Sequence, residues 1–315
     1  MKKRKPARKK AAAPLKKPVQ KPVTVSALIR SGAARLKRAK LVFAHGTTEP
    51  VAEAAFLVGE TLGLHPDDVA AHASTSVTAA KQKKIETLVE RRIRTRKPAA
   101  YLLKRIYMLG VPFTIDERAI VPRSFLGEIF TSETFAGESF SLMPDEDSVR
   151  SVLDLCTGSG CLAILAAMRF PAAKVDAIEL SKGAMELAKR NVTDHRLKRR
   201  VRVLGGDLFA PVKGKRYDLI ISNPPYVDDV GMESLPPECR HEPSMAFDGG
   251  ADGLSIVRRL IDDAPNHLND GGGLLCEIGR GRDVLERAYP SLKFLWLETE
   301  DSSGEVFWLD ARQLR

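Results

Sequence analysis

The sequence predicts an α/β protein: a doubly wound parallel sheet with an antiparallel hairpin at its C-terminal edge, preceded by a small helical domain. From residue 151 onward, apolar runs such as "SVLDLC" and "YDLIIS" alternate with helical segments such as "GAMELAKRNV", which is typical of parallel strands joined by helices. The last two runs, "LKFLWLE" and "SGEVFWLD", follow one another without a helix, so we expect an antiparallel edge pair. Between residues 23 and 104, apolar residues recur every three or four positions, which indicates helices.

The chain begins with a strongly basic segment, which we assign to residues 1–22. It holds ten lysines and arginines, four prolines and no acid. Because it has too few apolar residues to fold alone, we expect a disordered tail that either contacts a polyanion such as RNA or only aids solubility. The net charge of the whole chain is +10, so the residues after the tail carry equal numbers of basic and acidic side chains.

Three further segments follow the tail. Residues 23–104 predict a helical domain, in which Pro66 can open a helix and Gly63 can end one. Residues 105–150 predict a hairpin and a linker, because "YMLGVPFTID" alternates apolar and polar positions and "TSETFAGESFSLMPDEDSVR" is polar and acidic. Residues 151–315 predict the sheet domain.

Two features of the composition bear on compartment and metals. No apolar run approaches the roughly 20 residues that cross a bilayer, and no apolar stretch follows the N-terminal charges as in a secretory signal. We therefore expect no membrane partner and a cytoplasmic location. The four cysteines form no C-x-x-C pair and have no histidine at ligand spacing, so we expect free, mostly buried thiols and no metal site.

Four consecutive predicted strands end in residues that can bind a small molecule. The first runs into "DLCTGSG", where Gly158 and Gly160 let the backbone approach a ligand. The second ends at Glu179, at the spacing of a carboxylate that accepts the hydroxyls of a ribose. The third ends at Asp207 and the fourth at Asn223. Because the carboxyl ends of parallel strands meet at one edge, these residues predict a ligand site there.

The fourth of these strands ends in "SNPPY", residues 222–226. A proline has no N–H to give to a sheet, and the residue before a proline is kept out of helical geometry. The chain should therefore leave the sheet in an extended form, with the carbonyl of Pro224 outside any ladder. This carbonyl and the side-chain oxygen of Asn223 can then accept hydrogen bonds from two N–H groups.

This series of motifs resembles the class I (Rossmann-like) S-adenosylmethionine-dependent methyltransferases, and "NPPY" resembles their members that modify amide or adenine nitrogens. With the helical domain, "VPRS", "DLCTGSG" and "RHEPSMAFDGGADGL", the chain is similar to the protein N(5)-glutamine methyltransferases of the HemK family. It looks most like the branch that acts on ribosomal protein L(3). The resemblance covers residues 23–315. One departure is Phe125, where that branch usually has a proline.

The resemblance implies S-adenosyl-L-methionine as the cofactor and a glutamine amide as the methyl acceptor. It implies that the helical domain recognises the substrate, a ribosomal protein in or near an assembling large subunit. The residues that it assigns to the cofactor are Asp154, Cys156, Thr157, Gly158, Ser159, Gly160, Glu179, Asp207, Leu208 and Asn223. Those that it assigns to catalysis are Asn223, Pro224, Pro225 and Tyr226, and the same four bind the substrate together with Arg123.

The implied chemistry follows from the two acceptors. An amide nitrogen is a poor nucleophile, and Asn223 and Pro224 would hold both of its N–H groups so that its lone pair points at the methyl group. Tyr226 would pack against the amide plane. We assign no general base, because the alkylated nitrogen becomes acidic enough to lose its proton to water or to a carbonyl.

Two alternatives use the same fold. The acceptors also fit the amino group of an adenine flipped out of DNA or RNA, although the chain has no further domain large enough to read a base sequence. A ribosome-assembly factor could have kept the fold without catalysis, but the complete set of polar residues at the strand ends argues against it.

Overall fold

The structure is a computed structural model that describes residues 22–132, 135, 142–143, 146–299 and 302–315. The basic tail up to residue 21 and much of the predicted linker lie outside the described residues. Helices and strands are numbered below in chain order.

A helical domain comes first in the described part of the chain. Its helices are α1 (Val25–Arg38), α2 (Pro50–Leu62), α3 (Ala79–Thr95) and α4 (Ala99–Leu103). Thr24 caps α1 by accepting a hydrogen bond from the N–H of Ala27, and Gly63 ends α2 in the left-handed conformation with φ of 78°. The apolar faces of these helices enclose a small core that includes Leu36 and Leu57.

One helical segment is much shorter than the sequence predicts. The stretch "PDDVAAHA" forms only a 3-10 helix at Pro66–Asp68, followed by turns. The N–H groups of Val25 and Ser26 donate to the carbonyls of Thr75 and Ala73. The first N–H groups of a helix need acceptors from outside the helix. Because the carbonyls after Pro66 accept from the start of α1, this segment keeps an irregular path instead of a longer helix.

A buried ion pair lies between α2 and α3. Arg92 is fully buried, and its Nε donates to Oε1 of Glu53 at 2.8 Å. The other guanidinium nitrogens donate to the carbonyls of Arg96 and Val42. Burial raises the pKa of Glu53 despite this pairing, because both charges have left water. The guanidinium of Arg92 therefore connects the loop after α1 to the end of α3.

A short hairpin connects the helical domain to the sheet domain. Strands β1 (Arg105–Met108) and β2 (Val111–Thr114) pair antiparallel and are followed by an extended segment and by helix α5 (Leu126–Thr131). The side chain of Asn191, in the sheet domain, accepts from the N–H of Thr114 at 2.9 Å and donates to its carbonyl at 3.0 Å. These two bonds hold the hairpin against the sheet domain.

The sheet domain is built on a mixed sheet. Its strands are β3 (Ser151–Leu155), β4 (Lys174–Glu179), β5 (Val201–Gly205), β6 (Tyr217–Ser222), β7 (Leu268–Glu277), β8 (Leu295–Glu298) and β9 (Ser303–Asp310). Across the described residues their order is β5-β4-β3-β6-β7-β9-β8. Strands β3 to β7 pair parallel, whereas β9 pairs antiparallel with β7 and β8. The predicted doubly wound sheet with an antiparallel edge hairpin is therefore confirmed.

Helices cover both faces of this sheet. They are α6 (Cys161–Arg169), α7 (Lys182–Asp194), α9 (Ser255–His267) and α10 (Arg282–Ala288), whereas the short α8 (Asp229–Ser234) has no buried residue. Helices α6 and α7 pack on one face with α5, and α9 and α10 pack on the other. Within the described residues, no helix combines the length and apolar character needed to span a membrane. The four cysteines are free thiols and three of them are buried.

We predict that Glu53→Ala destabilises the chain by about 3 to 5 kcal/mol, because it leaves the buried guanidinium of Arg92 without its carboxylate. Urea unfolding followed by circular dichroism measures this loss. Glu90→Ala is the matched control: Glu90 pairs with Arg35 at 3.3 Å with 67% of its side chain exposed, and such pairs contribute about 0 to 1 kcal/mol. Equal losses in the two variants would contradict a special role for the buried pair.

Candidate active site

The turn after β3 opens the carboxyl edge of the sheet. Cys156, Gly158 and Gly160 all have positive φ, at 59°, 58° and 83°. A Cβ on Gly158 would meet no atom within 4 Å, whereas one on Gly160 would lie 3.1 Å from the Cβ of Ala188. Gly160 therefore lets α6 approach α7 closely. Gly158 leaves the space beside the turn open to a ligand.

Two carboxylates shape this turn. The Oε2 and Oε1 of Glu179 accept from the N–H groups of Gly158 and Ser181, each at 2.8 Å. Behind the turn, Asp154 accepts a hydrogen bond from the hydroxyl of Thr157, and burial raises the pKa of Asp154 to about 7. A carboxylate has about four acceptor positions, so Glu179 keeps acceptor capacity towards a ligand.

The residues after β5 border the same space. Asp207 is exposed and its Oδ2 accepts from Arg259 at 2.6 Å. Leu208 is buried with φ of 43°. An acidic side chain, Asp207, and an apolar one, Leu208, therefore lie next to each other after the end of β5.

Two adjoining cavities run along this edge. One of about 280 Å³ is lined by the residues that follow β4 and β5, and one of about 250 Å³ by those that follow β6 and by the Arg123 segment. Cys156, Gly158 and Asn223 line both, so they mark the junction at which two ligands would meet. Burial raises the pKa of Cys156 to about 12, which keeps the thiol protonated and inert there.

The structure brings the sequence-predicted site residues together at this edge. Every one of them lines one of the two cavities except Asp154 and Gly160. Asp154 is fully buried behind the turn, and Gly160 is the N-cap residue of α6. These two shape the turn from behind instead of facing the cavities.

Asn223 lies at the junction of the cavities, and Pro224 lines the cavity of about 250 Å³ beside it. The Nδ2 of Asn223 donates to the carbonyl of Arg123 at 3.1 Å. Because this bond fixes the amide group, the side-chain oxygen stays available as an acceptor. Among the described residues, no backbone N–H donates to the carbonyl of Pro224. Two oriented acceptors therefore follow β6.

The ring of Tyr226 is held by a buried carboxylate at the end of β7. Its hydroxyl donates to Oε1 of Glu277 at 3.1 Å. The Oε2 of Glu277 accepts from the hydroxyl of Ser124 at 2.7 Å and from the N–H of Phe125 at 3.0 Å, a bond that a proline at this position could not make. Burial raises the pKa of Glu277 to about 7. A Cβ on Gly279 would lie 2.8 Å from the tyrosine ring, so the ring is closely packed.

A second buried carboxylate, Glu242, holds the Arg123 segment in place. Its Oε1 accepts from the N–H of Val121 at 2.8 Å and from Arg123 at 3.2 Å. Its Oε2 accepts from Arg123 at 3.0 Å and lies 3.1 Å from Nε2 of His45. Burial opposes ionisation of Glu242, but the hydrogen bond with His45 and the charge of Arg123 outweigh it and hold its pKa below the ordinary value.

Cys239 completes a cluster that the sequence spacing does not predict. Ligand atoms of His45, Cys239 and Glu242 lie within 4.8 Å of one another, and all three residues are buried. The guanidinium of Arg123 already neutralises Glu242, and burial raises the pKa of Cys239 to about 11. A cation would have to compete with Arg123 and to deprotonate this thiol, so the cluster is better explained as a hydrogen-bonded one.

The segment around Glu242 also contacts the helical domain. The buried Glu238 accepts from the N–H of Val42 at 3.1 Å and lies 2.6 Å from the guanidinium of Arg96. His241 donates to the carbonyl of Thr95 at 2.9 Å. One short loop therefore contacts both the helical domain and the residues that hold Arg123.

Three functional residues were missed by sequence reasoning. Glu242 lies within the quoted "RHEP" motif but carries no role there. Glu277 ends "LLCE" in the same way that Glu179 ends "AIE", so the rule of strand ends could have identified it. His45 lies in an irregular loop of the helical domain, and nothing in its local sequence predicts its contact.

Comparisons with known proteins agree with this architecture. A family model described as the PrmC N-terminal domain matches residues 27–103, and one described as the methyltransferase small domain matches residues 139–235. The chain therefore combines the helical domain of one family with the catalytic domain of a methyltransferase that uses S-adenosylmethionine.

Curated relatives match along almost the whole chain. A protein of Bradyrhizobium diazoefficiens, named ribosomal protein uL3 glutamine methyltransferase, is 59% identical over 93% of this chain and 92% of its own length. Proteins of the same name from Burkholderia pseudomallei and Neisseria meningitidis serogroup A are 44% and 43% identical, over 92% and 94% of this chain and 95% of their own lengths. Identity and coverage of this extent show that the chain belongs to the family of ribosomal protein uL3 glutamine methyltransferases.

Proposed function

We propose that the chain transfers a methyl group from S-adenosyl-L-methionine to the side-chain amide nitrogen of a glutamine in ribosomal protein uL3. The names of the curated relatives support this substrate. The observation that carries the proposal is the pair of acceptors that follow β6: Asn223 lies at the junction of the two cavities, and Pro224 lines the smaller cavity next to it.

The cofactor fits the cavity beside β4 and β5. The space at Gly158 is open to a bulky group, and the remaining acceptor positions of Glu179 suit the two ribose hydroxyls. Asp207 and Leu208 would flank the adenine, and the backbone of residues 156–159 would face the methionine portion. When bound there, S-adenosylmethionine supplies a methyl group on a positively charged sulfur.

The second cavity receives the glutamine side chain. Oδ1 of Asn223 and the carbonyl of Pro224 accept one N–H each, which turns the lone pair of the nitrogen towards the junction of the cavities. Positive charge develops on that nitrogen during transfer, and the two acceptor dipoles already point at it. The site needs no general base, because the alkylated nitrogen loses its proton to water.

Arg123, Pro225 and Tyr226 complete the binding of the glutamine. Tyr226 packs against the amide plane, with its ring fixed by the bond to Glu277. Arg123 lines the substrate cavity, and Pro225 faces the cofactor cavity from the same turn. These residues exclude water and restrict the amide to one orientation.

The helical domain of residues 23–104 recognises the protein substrate, and the chain acts in the cytoplasm, where ribosomal subunits assemble.

The basic residues 1–22 contact the RNA of an assembling large subunit. Deleting them should leave turnover of a short glutamine peptide unchanged but raise KM for ribosomal precursor particles at low salt, because counterion release drives such contacts. An equal loss on peptide and particle would contradict this role.

The central test is methylation of purified uL3. We expect the wild-type chain to add one methyl group to a glutamine of uL3, detected by mass spectrometry of the digested protein. Asn223→Ala should lower the rate by about 100-fold or more, since it removes one fixed acceptor at the reacting nitrogen, while cofactor affinity stays nearly unchanged.

Asn269→Ala provides the matched control. Asn269 lies at the opposite edge of the sheet, where its amide donates to Asp218 at 2.7 Å, so its loss should leave the rate intact. A near wild-type rate for Asn223→Ala would remove Asn223 from the site, and unmodified uL3 would overturn the proposed substrate.

Glu179→Ala tests the cofactor cavity separately. Losing hydrogen bonds to a charged group costs about 1.5 to 3 kcal/mol, so S-adenosylmethionine should bind roughly 10- to 150-fold more weakly in calorimetry. Glu86→Ala, which removes an exposed acid on α3, should not change the affinity. Unchanged affinity in Glu179→Ala would contradict the assignment of the ribose to this carboxylate.

A further inference from the structure

A strongly basic groove lies at the edge of the sheet opposite the active site. It measures about 910 Å³ and is lined by the amino ends of β4, β5 and β6 and by the second half of α7. Because these strands are parallel, their amino ends lie about 17 Å from their carboxyl ends, at roughly 3.3 Å per residue. The groove is therefore separate from both cavities of the active site.

The charge of this groove is nearly all of one sign. Among the described residues that line it are eight lysines and arginines and one acid, Asp176. Five of the cations lie on the short stretch 198–202 or directly beside it in space: Lys174, Lys198, Arg199, Arg200 and Arg202. The residues after the basic tail are neutral as a whole, so this concentration is a local separation of charge.

Few of these charges are neutralised within the protein. Arg202 and Lys215 share Asp176, at 2.7 Å and 3.1 Å, and the charge of Asp176 therefore offsets only one of them. Lys174 donates to a backbone carbonyl, which leaves its positive charge in place. Three exposed side chains have no partner in the described part of the chain: Lys189, Lys198 and Arg199.

We infer that this groove binds the phosphate backbone of RNA. Its free cations line one groove, and RNA offers a regular row of single negative charges that such cations can contact together. The concave shape suits a cylindrical backbone, whereas an anionic membrane would present a flat surface. Tyr217, the aromatic residue among the described residues that line the groove, is buried. No exposed ring of this lining can stack on bases, so the contact should be independent of sequence.

This inference rests on the proposed function only for the source of the RNA. A methyltransferase whose substrate is a ribosomal protein meets ribosomal RNA beside that protein. A groove on the edge opposite the active site can hold such RNA without blocking entry of the glutamine, so RNA binding would raise the residence of the enzyme on an assembling particle.

The test is fluorescence anisotropy with a short labelled RNA hairpin and the full-length chain over about 50 to 200 mM salt. The groove variant combines Lys189→Gln, Lys198→Gln and Arg199→Gln. Each lost phosphate contact lowers the slope of log affinity against log salt by about 0.7 to 0.9. We therefore expect a slope shallower by about 2 to 3, with at least a tenfold loss of affinity at low salt.

A matched variant removes the same number of charges elsewhere. It combines Lys83→Gln, Lys84→Gln and Arg91→Gln, all exposed on α3, and it keeps the basic tail as the groove variant does. Its loss of RNA affinity should be several-fold smaller. An equal loss in the two variants would show that the groove is not the binding surface.

Two further measurements distinguish the groove from the tail and RNA from other anionic partners. Ultraviolet crosslinking of the wild-type chain to the hairpin should mark peptides within residues 189–202, and crosslinks confined to the tail would overturn the inference. Preferential binding of anionic vesicles or of polyglutamate, lost in the groove variant while RNA binding persists, would assign the groove to a membrane or an acidic protein instead.

Methylation of isolated uL3 separates this inference from the proposed function. The groove variant should methylate uL3 or a glutamine peptide at the wild-type rate. Unmodified uL3 with intact RNA binding would refute the proposed substrate alone. Methylated uL3 without groove-dependent RNA binding would refute this inference alone.

Discussion

The carboxylate of Glu242 is the contact on which the rest of the active site depends. It accepts hydrogen bonds from the backbone of Val121 and from the guanidinium of Arg123, and it lies 3.1 Å from His45 of the helical domain. The position of Arg123 in turn fixes the orientation of the Asn223 side chain, because the carbonyl of Arg123 accepts a hydrogen bond from its amide. One buried charge thus connects the helical domain, the segment after the hairpin and the side chain of Asn223. The loop that carries Glu242 therefore contacts both domains.

The buried carboxylates of the catalytic domain balance burial in different ways. Glu242 faces a guanidinium, and its pKa is held down. Among the described residues, the donors to the carboxylate of Glu277 are the neutral groups of Tyr226, Ser124 and Phe125. Burial raises the pKa of Glu277 to about 7. An uncompensated buried charge is costly, so Glu277 serves as an anchor for Tyr226 that can carry a proton near neutral pH. Neither carboxylate is among the residues that line the two cavities.

Much of the fold and of the candidate site could be predicted from the sequence, because both follow local rules. Alternating apolar runs and helices predict the parallel sheet, and the rule that ligands bind at carboxyl strand ends brings Gly158, Glu179 and Asn223 to one edge. Residues whose role depends on distant partners could not be found in this way. His45 reaches Glu242 across almost 200 positions of sequence, and no periodicity describes such a contact. The longer helix predicted after Pro66 was wrong for the same reason, because hydrogen bonds to the start of α1 shape this segment more than its own helical pattern does.

The dependence of Asn223 on Glu242 is tested most directly by a double-mutant cycle. The cycle measures kcat of the two single variants and of the double variant at saturating S-adenosylmethionine. If Glu242 acts through Arg123 on the orientation of Asn223, Glu242→Gln should slow the wild-type enzyme by at least about tenfold. Adding it to Asn223→Ala should then cost little more, and the exposed control Glu233→Gln should change neither background. Losses that multiply in the double variant, or a Glu242→Gln enzyme with wild-type kcat, would contradict the account.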